Sequence, residues 1–88
     1  MIVKIDASFE KDIKKIKDKL ILLKLKGIIE FCLDVQQLSQ IPNAKKMTGF
    51  KNYYRIKLGD FRIGIRIEND EIIFERILHR KEIYRFFP

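Results

Sequence analysis

The sequence predicts an α+β domain in which two helices cover one face of a mainly antiparallel sheet. Three observations carry this. Through roughly the first forty residues, apolar side chains recur at helical spacing. From Lys45 onward the period changes to two, that of a strand. Two dipeptides with hairpin chemistry, Gly59-Asp60 and Asn69-Asp70, separate the three alternating runs of the second half. The expected order is β-α-α-β-β-β-β with a short C-terminal segment, in one domain spanning residues 1–88.

Each element follows from its residues. Met1–Ile5 reads MIVKI, a short strand with alternating apolar positions. Ser8 is the expected N-cap of a first helix, with Glu10 in its first turn. Phe9, Ile13, Ile16, Leu20 and Leu23 then trace one helical face, with Lys11, Asp12, Lys14, Lys15 and Lys19 opposite. Lys26-Gly27 reads as its C-terminus. A second helix is expected from about Ile28 to Leu38, its stripe formed by Ile28, Phe31, Cys32, Val35 and Leu38, folding back as an antiparallel hairpin. Pro42 forbids its continuation. Ala44 to Met47 reads as a short edge strand, followed by strands at Tyr53 to Leu58, Phe61 to Glu68 and Glu71 to Leu78.

Two-residue turns fix a register. Lys57 then opposes Arg62, Arg55 opposes Gly64, Arg66 opposes Ile73, and Gly64 opposes Glu75. One face becomes the core face: Tyr54, Ile56, Leu58, Phe61, Ile63, Ile65, Ile67, Ile72, Phe74 and Leu78. The other carries Tyr53, Arg55, Lys57, Arg62, Gly64, Arg66, Ile73, Glu75, Ile77 and His79. Paired cations such as Lys57 and Arg62 destabilise a sheet by about 0.2–1 kcal/mol, so their presence points to function. Gly64 inside a strand leaves room for a ligand or another backbone, or marks a bend or bulge. Arg76 falls on the core face, where it needs a partner or a slip of register.

Charge narrows the partners. The chain carries a formal +7, and residues 45–88 hold eleven Lys and Arg against six Asp and Glu. A phosphate-rich partner fits that excess. The tail LHRKEIYRFFP adds His79, Arg80, Lys81, Tyr84 and Arg85, an aromatic among cations suited to stacking on an exposed base. The single cysteine allows no internal disulfide. No signal peptide is evident, and no apolar run approaches the roughly 20 residues needed to cross a bilayer, so the expected compartment is the cytoplasm, with no membrane partner. One histidine and one cysteine offer no metal-ligand cluster, and no glycine-rich phosphate loop is present. Neither a metal nor another cofactor is expected.

The residues from Lys45 to Pro88 resemble the RelE/ParE superfamily of type II toxin–antitoxin toxins, on the RelE side. The resemblance rests on the segment Lys46 to Gly49, the hairpin Tyr54 to Ile63, and the ending His-Arg-Lys-Glu-Ile-Tyr from His79 to Tyr84. The preceding helices also match, so the similarity spans essentially the whole chain. It implies a RelE-like fold and a ribosome-dependent mRNA endonuclease that works without metal. The 2′-hydroxyl attacks the adjacent phosphate, and a cognate antitoxin holds the toxin inactive. It further implies a toxin–antitoxin complex able to bind operator DNA.

Carried over by position, Arg55 and Lys57 match the family's basic pair, Arg62 its strand arginine, Arg80 its C-terminal arginine and Tyr84 its C-terminal tyrosine. Arg62 and Arg80 would then stabilise the phosphorane. Lys57 would serve as base, and Tyr84 would stack on a base or transfer a proton. Arg55, Arg66, Lys81 and His79 would contact RNA. Some relatives use a glutamate–histidine pair, but Asn43 to Met47 contains no glutamate to match. The superfamily also holds gyrase-poisoning toxins, and inactive members that bind nucleic acid with their antitoxin as repressors.

Overall fold

The structure, a computed structural model, describes residues 1–88 with the side chain of Leu38 excepted; the expected place of Leu38 in an apolar stripe therefore lies outside the described residues. The elements are β1 (Ile2–Ile5), α1 (Ala7–Lys15), α2 (Lys19–Asp34), a 3-10 turn (Leu38–Gln40), β2 (Ala44–Lys46), β3 (Tyr53–Leu58), β4 (Phe61–Glu68), β5 (Glu71–His79) and α3 (Ile83–Phe86). They form an α+β fold around a five-stranded sheet of order β1-β5-β4-β3-β2. Only the β1–β5 pair is parallel.

The helices differ from expectation in where they break. The division falls at Ile16–Asp18, not at Gly27, which lies inside α2. The cause is local and tertiary together. The Asp18 carboxylate accepts from the N–H groups of Leu20 (2.9 Å) and Ile21 (3.3 Å), capping α2. Beyond it, Ile21, Leu25 and Cys32 bury one continuous stripe through Gly27, and this burial outweighs the roughly 1 kcal/mol that a helical glycine costs. Leu20 and Leu23 extend the α1 pattern in sequence, yet they are 57% and 66% exposed. α2 ends at Asp34, four residues before the expected end.

Ser8 is not a cap. Asp6 holds the N-cap position of α1, and the Ser8 hydroxyl donates to the Glu75 carbonyl at 2.7 Å. Asp12, expected on the solvent side, is 4% exposed. It accepts from Arg76 Nε (2.8 Å), Arg76 Nη2 (3.1 Å) and the Ile77 N–H (3.0 Å). β1 pairs with β5 only as far as Phe74, so Ser8 and Asp12 bond the stretch of β5 beyond it. Arg76 has found the partner its position demanded.

The β3–β4 register is as expected, Lys57 opposite Arg62 and Arg55 opposite Gly64. Along β4–β5 it holds from Glu68↔Glu71 through Ile65↔Phe74 and then shifts, because a bulge between Gly64 and Ile65 sets Gly64 opposite Arg76 instead of Glu75. The shift turns over the end of β5: Arg76, opposite Gly64, leaves the core face, and His79 comes to pair with Phe61. Ile77 turns into the core, 2% exposed, and Leu78 packs on the other face.

The main core joins Phe9 and Ile16 of the α1 region, Ile21, Leu25 and Cys32 of α2, and the sheet residues Ile56, Leu58, Ile63, Ile65, Ile72, Phe74 and Ile77. The opposite face is not open. Met47, Ile83 and Phe87 form a second buried cluster there, with Tyr53 and Leu78 against it.

Candidate nucleic-acid interface

The C-terminal segment organises this second face. The Arg80 N–H donates to the Asp60 carbonyl at 2.8 Å, tying the tail to the β3–β4 turn. α3 follows, with Ile83 fully buried and Tyr84 62% exposed. Phe87 then sinks onto the sheet. A Cβ built on Gly64 would lie 2.7 Å from three Phe87 ring carbons. Gly64 therefore marks the bulge, as one of its two readings had it, and also makes room for the chain's own tail, Phe87 filling the space the other reading left to a ligand or another backbone.

Around this plug the expected cations separate into groups. The Arg55 guanidinium lies 5.2 Å from the Tyr84 ring centroid. Arg55 also pairs in register with Lys45 of the edge strand. Lys45, Arg55 and Lys57 line one depression with Asn43 and Ala44. At the turn end of the hairpin, Lys57 is exposed opposite Arg62. Arg62 Nη1 donates to the carbonyls of Gly59 (2.9 Å) and Phe61 (2.8 Å), which curls its side chain over the turn. The Arg80 backbone is fastened to that same turn. Lys57, Arg62 and the Arg80 backbone thus meet at the β3–β4 turn, while Arg55, opposite Gly64 in mid-hairpin and two residues along β3 from Lys57, reaches Tyr84.

Arg66 and His79 are engaged elsewhere. Arg66 bonds Glu75 and Glu68, each at 2.6 Å. Donating to the Glu75 carboxylate, and then to that of Glu68, makes its guanidinium hold its proton still more tightly. It sits four residues along β4 from Arg62, roughly 13 Å away. The His79 ring meets Phe61 edge-on at 6.0 Å, and its Nδ1 accepts from the Lys81 N–H at 3.2 Å. The Lys81 side chain is exposed.

Cys32 offers no reactive thiol, since it is fully buried and burial pushes its pKa up to about 11. Among the described residues, no three His, Cys, Asp or Glu gather as metal ligands, and no helix is long and apolar enough to cross a membrane.

Lys45, Lys46, Thr48 and Phe50 were not singled out as site residues from the sequence. They line a second hollow with Arg55, Tyr84 and Phe87. The Lys45-Lys46 doublet was visible, but only the pairing of β2 with β3 brings it beside Arg55.

The chain has clear relatives. The family model described as the ParE toxin of type II toxin–antitoxin systems, parDE, matches residues 3–84. Toxin RelE3 of Methanocaldococcus jannaschii is 45% identical over 82 residues, covering 92% of each chain. The crystal structure of a RelB-RelE antitoxin–toxin complex from Methanococcus jannaschii superposes with a TM-score of 0.83 at 42% identity, over 97% of this chain and 99% of that one. YafQ of Escherichia coli shares the fold at a TM-score of 0.63 and 17% identity, over 93% of this chain and 96% of that one.

Proposed function

Because this chain belongs to the ParE toxin family of type II toxin–antitoxin systems, within the RelE/ParE superfamily, we propose that it is an endoribonuclease cutting mRNA on the ribosome, silenced by a cognate antitoxin. The observation that carries the reading is the basic face of the β3–β4 hairpin: Lys57 opposite Arg62 at the turn to which the Arg80 backbone is tied, and Arg55, two residues along β3 from Lys57, against the exposed Tyr84. Lys57 and Arg62 are a basic pair that a sheet would otherwise avoid.

The roles follow from the chemistry. The RNA 2′-hydroxyl loses its proton to Lys57 and attacks the adjacent phosphorus. The bond to the 5′-oxygen breaks, leaving a 2′,3′-cyclic phosphate and, once protonated, a 5′-hydroxyl. Arg62 and Arg80 carry the positive charge that the crowded phosphorane requires, worth about 10²–10³ in rate per donor. Arg55 anchors a flanking phosphate while its contact with Tyr84 steadies the ring for stacking. Arg66, between two carboxylates, serves the sheet rather than the substrate. His79 and Lys81 shape and charge the approach. The antitoxin follows from the relative crystallised as a RelB-RelE antitoxin–toxin complex, and such a pair would act together on operator DNA. The resemblance to the RelE side of the superfamily supports ribosome-bound mRNA as the substrate, in the cytoplasm where translation runs.

A second reading is favoured by one observation, the ParE description of the matching family: inhibition of gyrase without chemistry on RNA. Induction of the chain in growing cells, followed by primer extension on abundant mRNAs, separates the two. New 5′ ends inside translated codons, lost in Arg62→Ala and Arg80→Ala, are expected. Growth arrest with DNA damage and unchanged mRNA ends would turn the assignment to gyrase.

A further inference from the structure

We infer that the hollow of about 350 Å³ between the edge of β2, the loop after it and the C-terminus takes one unpaired nucleobase of the RNA, and that Lys45, Thr48 and Phe50 select the base. The inference deepens the RNA-cutting reading and rests on it.

The shape and chemistry of the hollow match a nucleotide. Its floor is Phe87, 2% exposed and seated on Gly64. Two aromatics that line it, Phe50 and Tyr84, are 48% and 62% exposed. A single exposed aromatic calls for no explanation, but here two open into one hollow over a third ring. Lys45 and Arg55 line both this hollow and its neighbour, which reaches Lys57. A flat apolar base in the first would place its attached phosphate at the shared cations, on the way to Lys57. Apolar walls running into a cationic rim are what a base with its phosphate demands.

The selecting residues are held ready. The Met47 N–H donates to Tyr53 O at 2.9 Å and the Phe50 N–H to Met47 O at 3.3 Å. Met47 is buried, and Gly49 turns the loop at φ +83°, a conformation few other residues adopt. Phe50 meets Tyr53 edge-on at 6.4 Å, and Tyr53 meets Phe87 at 5.6 Å, so the aromatic wall is braced from the floor. Lys45, which shares the Arg55 face of the sheet, donates hydrogen bonds and accepts none, whereas the Thr48 hydroxyl does both. The pocket should therefore favour a base presenting a carbonyl acceptor (uracil, guanine or cytosine) over adenine, which has none.

The test is an NMR titration of the purified chain with two uncleavable probes, the 2′-O-methyl dinucleotides of uracil and of adenine. The expected result is movement of the Lys45, Thr48 and Phe50 amides, with the uracil probe bound about tenfold more tightly. Phe50→Ala should weaken both by about tenfold, Phe50→Leu by less, and Lys45→Ala or Thr48→Ala should narrow the gap between them. Movements confined to the surroundings of Lys57, Arg62 and Arg80, or affinities unchanged in Phe50→Ala, would overturn the inference. Cleavage of mRNA on programmed ribosomes, run with the unaltered chain, judges the RNA-cutting reading separately. Its failure would remove that reading, while the titration alone decides the pocket.

Discussion

On the helix side of the sheet, Phe9, Ile63, Ile65, Ile72 and Phe74 are fully buried in one continuous core. On the tail side Met47, Ile83 and Phe87 form a smaller buried cluster, and cations and exposed aromatics surround it. The first arrangement is what folding requires. The second spends little apolar surface and leaves Lys57 facing Arg62, a pair that stability alone disfavours. The contrast assigns stability to one face and chemistry to the other, and it can be broken in either direction.

The largest expected loss of stability is at Phe9→Ala, about 3–5 kcal/mol, because the ring fills the helix-side core edge-on to Phe74 at 5.5 Å. Denaturant unfolding checks it, and a loss below about 1 kcal/mol would deny that this face carries the fold. Asp12→Ala should follow at about 3 kcal/mol, since it strands the Arg76 guanidinium and the Ile77 N–H together. Asp12→Asn should recover part of this.

Gly64→Ala probes the boundary between the faces. The new methyl meets the Phe87 ring, so overpacking should cost about 1–3 kcal/mol and displace the tail that carries Tyr84. Activity should fall further than stability does. Arg62→Ala and Arg80→Ala should leave the midpoint of unfolding within about 0.5 kcal/mol of the parent, sharpening the division.

The last effect concerns Cys32 and is felt only at alkaline pH. Its thiol keeps its proton more firmly in the folded protein, up to about 11 against 9.0. That contribution is complete below pH 9.0, shrinks as the pH rises toward about 11, and is gone above it. Unfolding of Cys32→Ala across that window should show a flatter dependence on pH than the parent.

The second half of the chain was legible because its signals are local. Period-two alternation and the Gly59-Asp60 and Asn69-Asp70 turns place β3 and β4 at their observed bounds, and β5 runs one residue past expectation. The helices were misread because Leu20 and Leu23 continue the α1 spacing across a break that Asp18 enforces. The β4–β5 bulge had no sequence signature beyond Gly64, so Ile77 and Leu78 were placed on each other's faces. The site was legible in part. Arg55, Lys57 and Arg62 follow from the hairpin register, and Arg80 and Tyr84 from the family resemblance. Phe87 seated on Gly64, Lys45 beside Arg55, and the carboxylates around Arg66 depend on contacts between distant segments.

Ribosomes programmed with a defined mRNA and incubated with the purified chain test the central claim most directly, with the same RNA free in solution as control. The account predicts cuts within the ribosome-bound codon, little cutting of free RNA, and a loss of about 10²–10³-fold in Arg62→Ala or Arg80→Ala. Equal cutting of free RNA, or undiminished cutting by both variants, would contradict it.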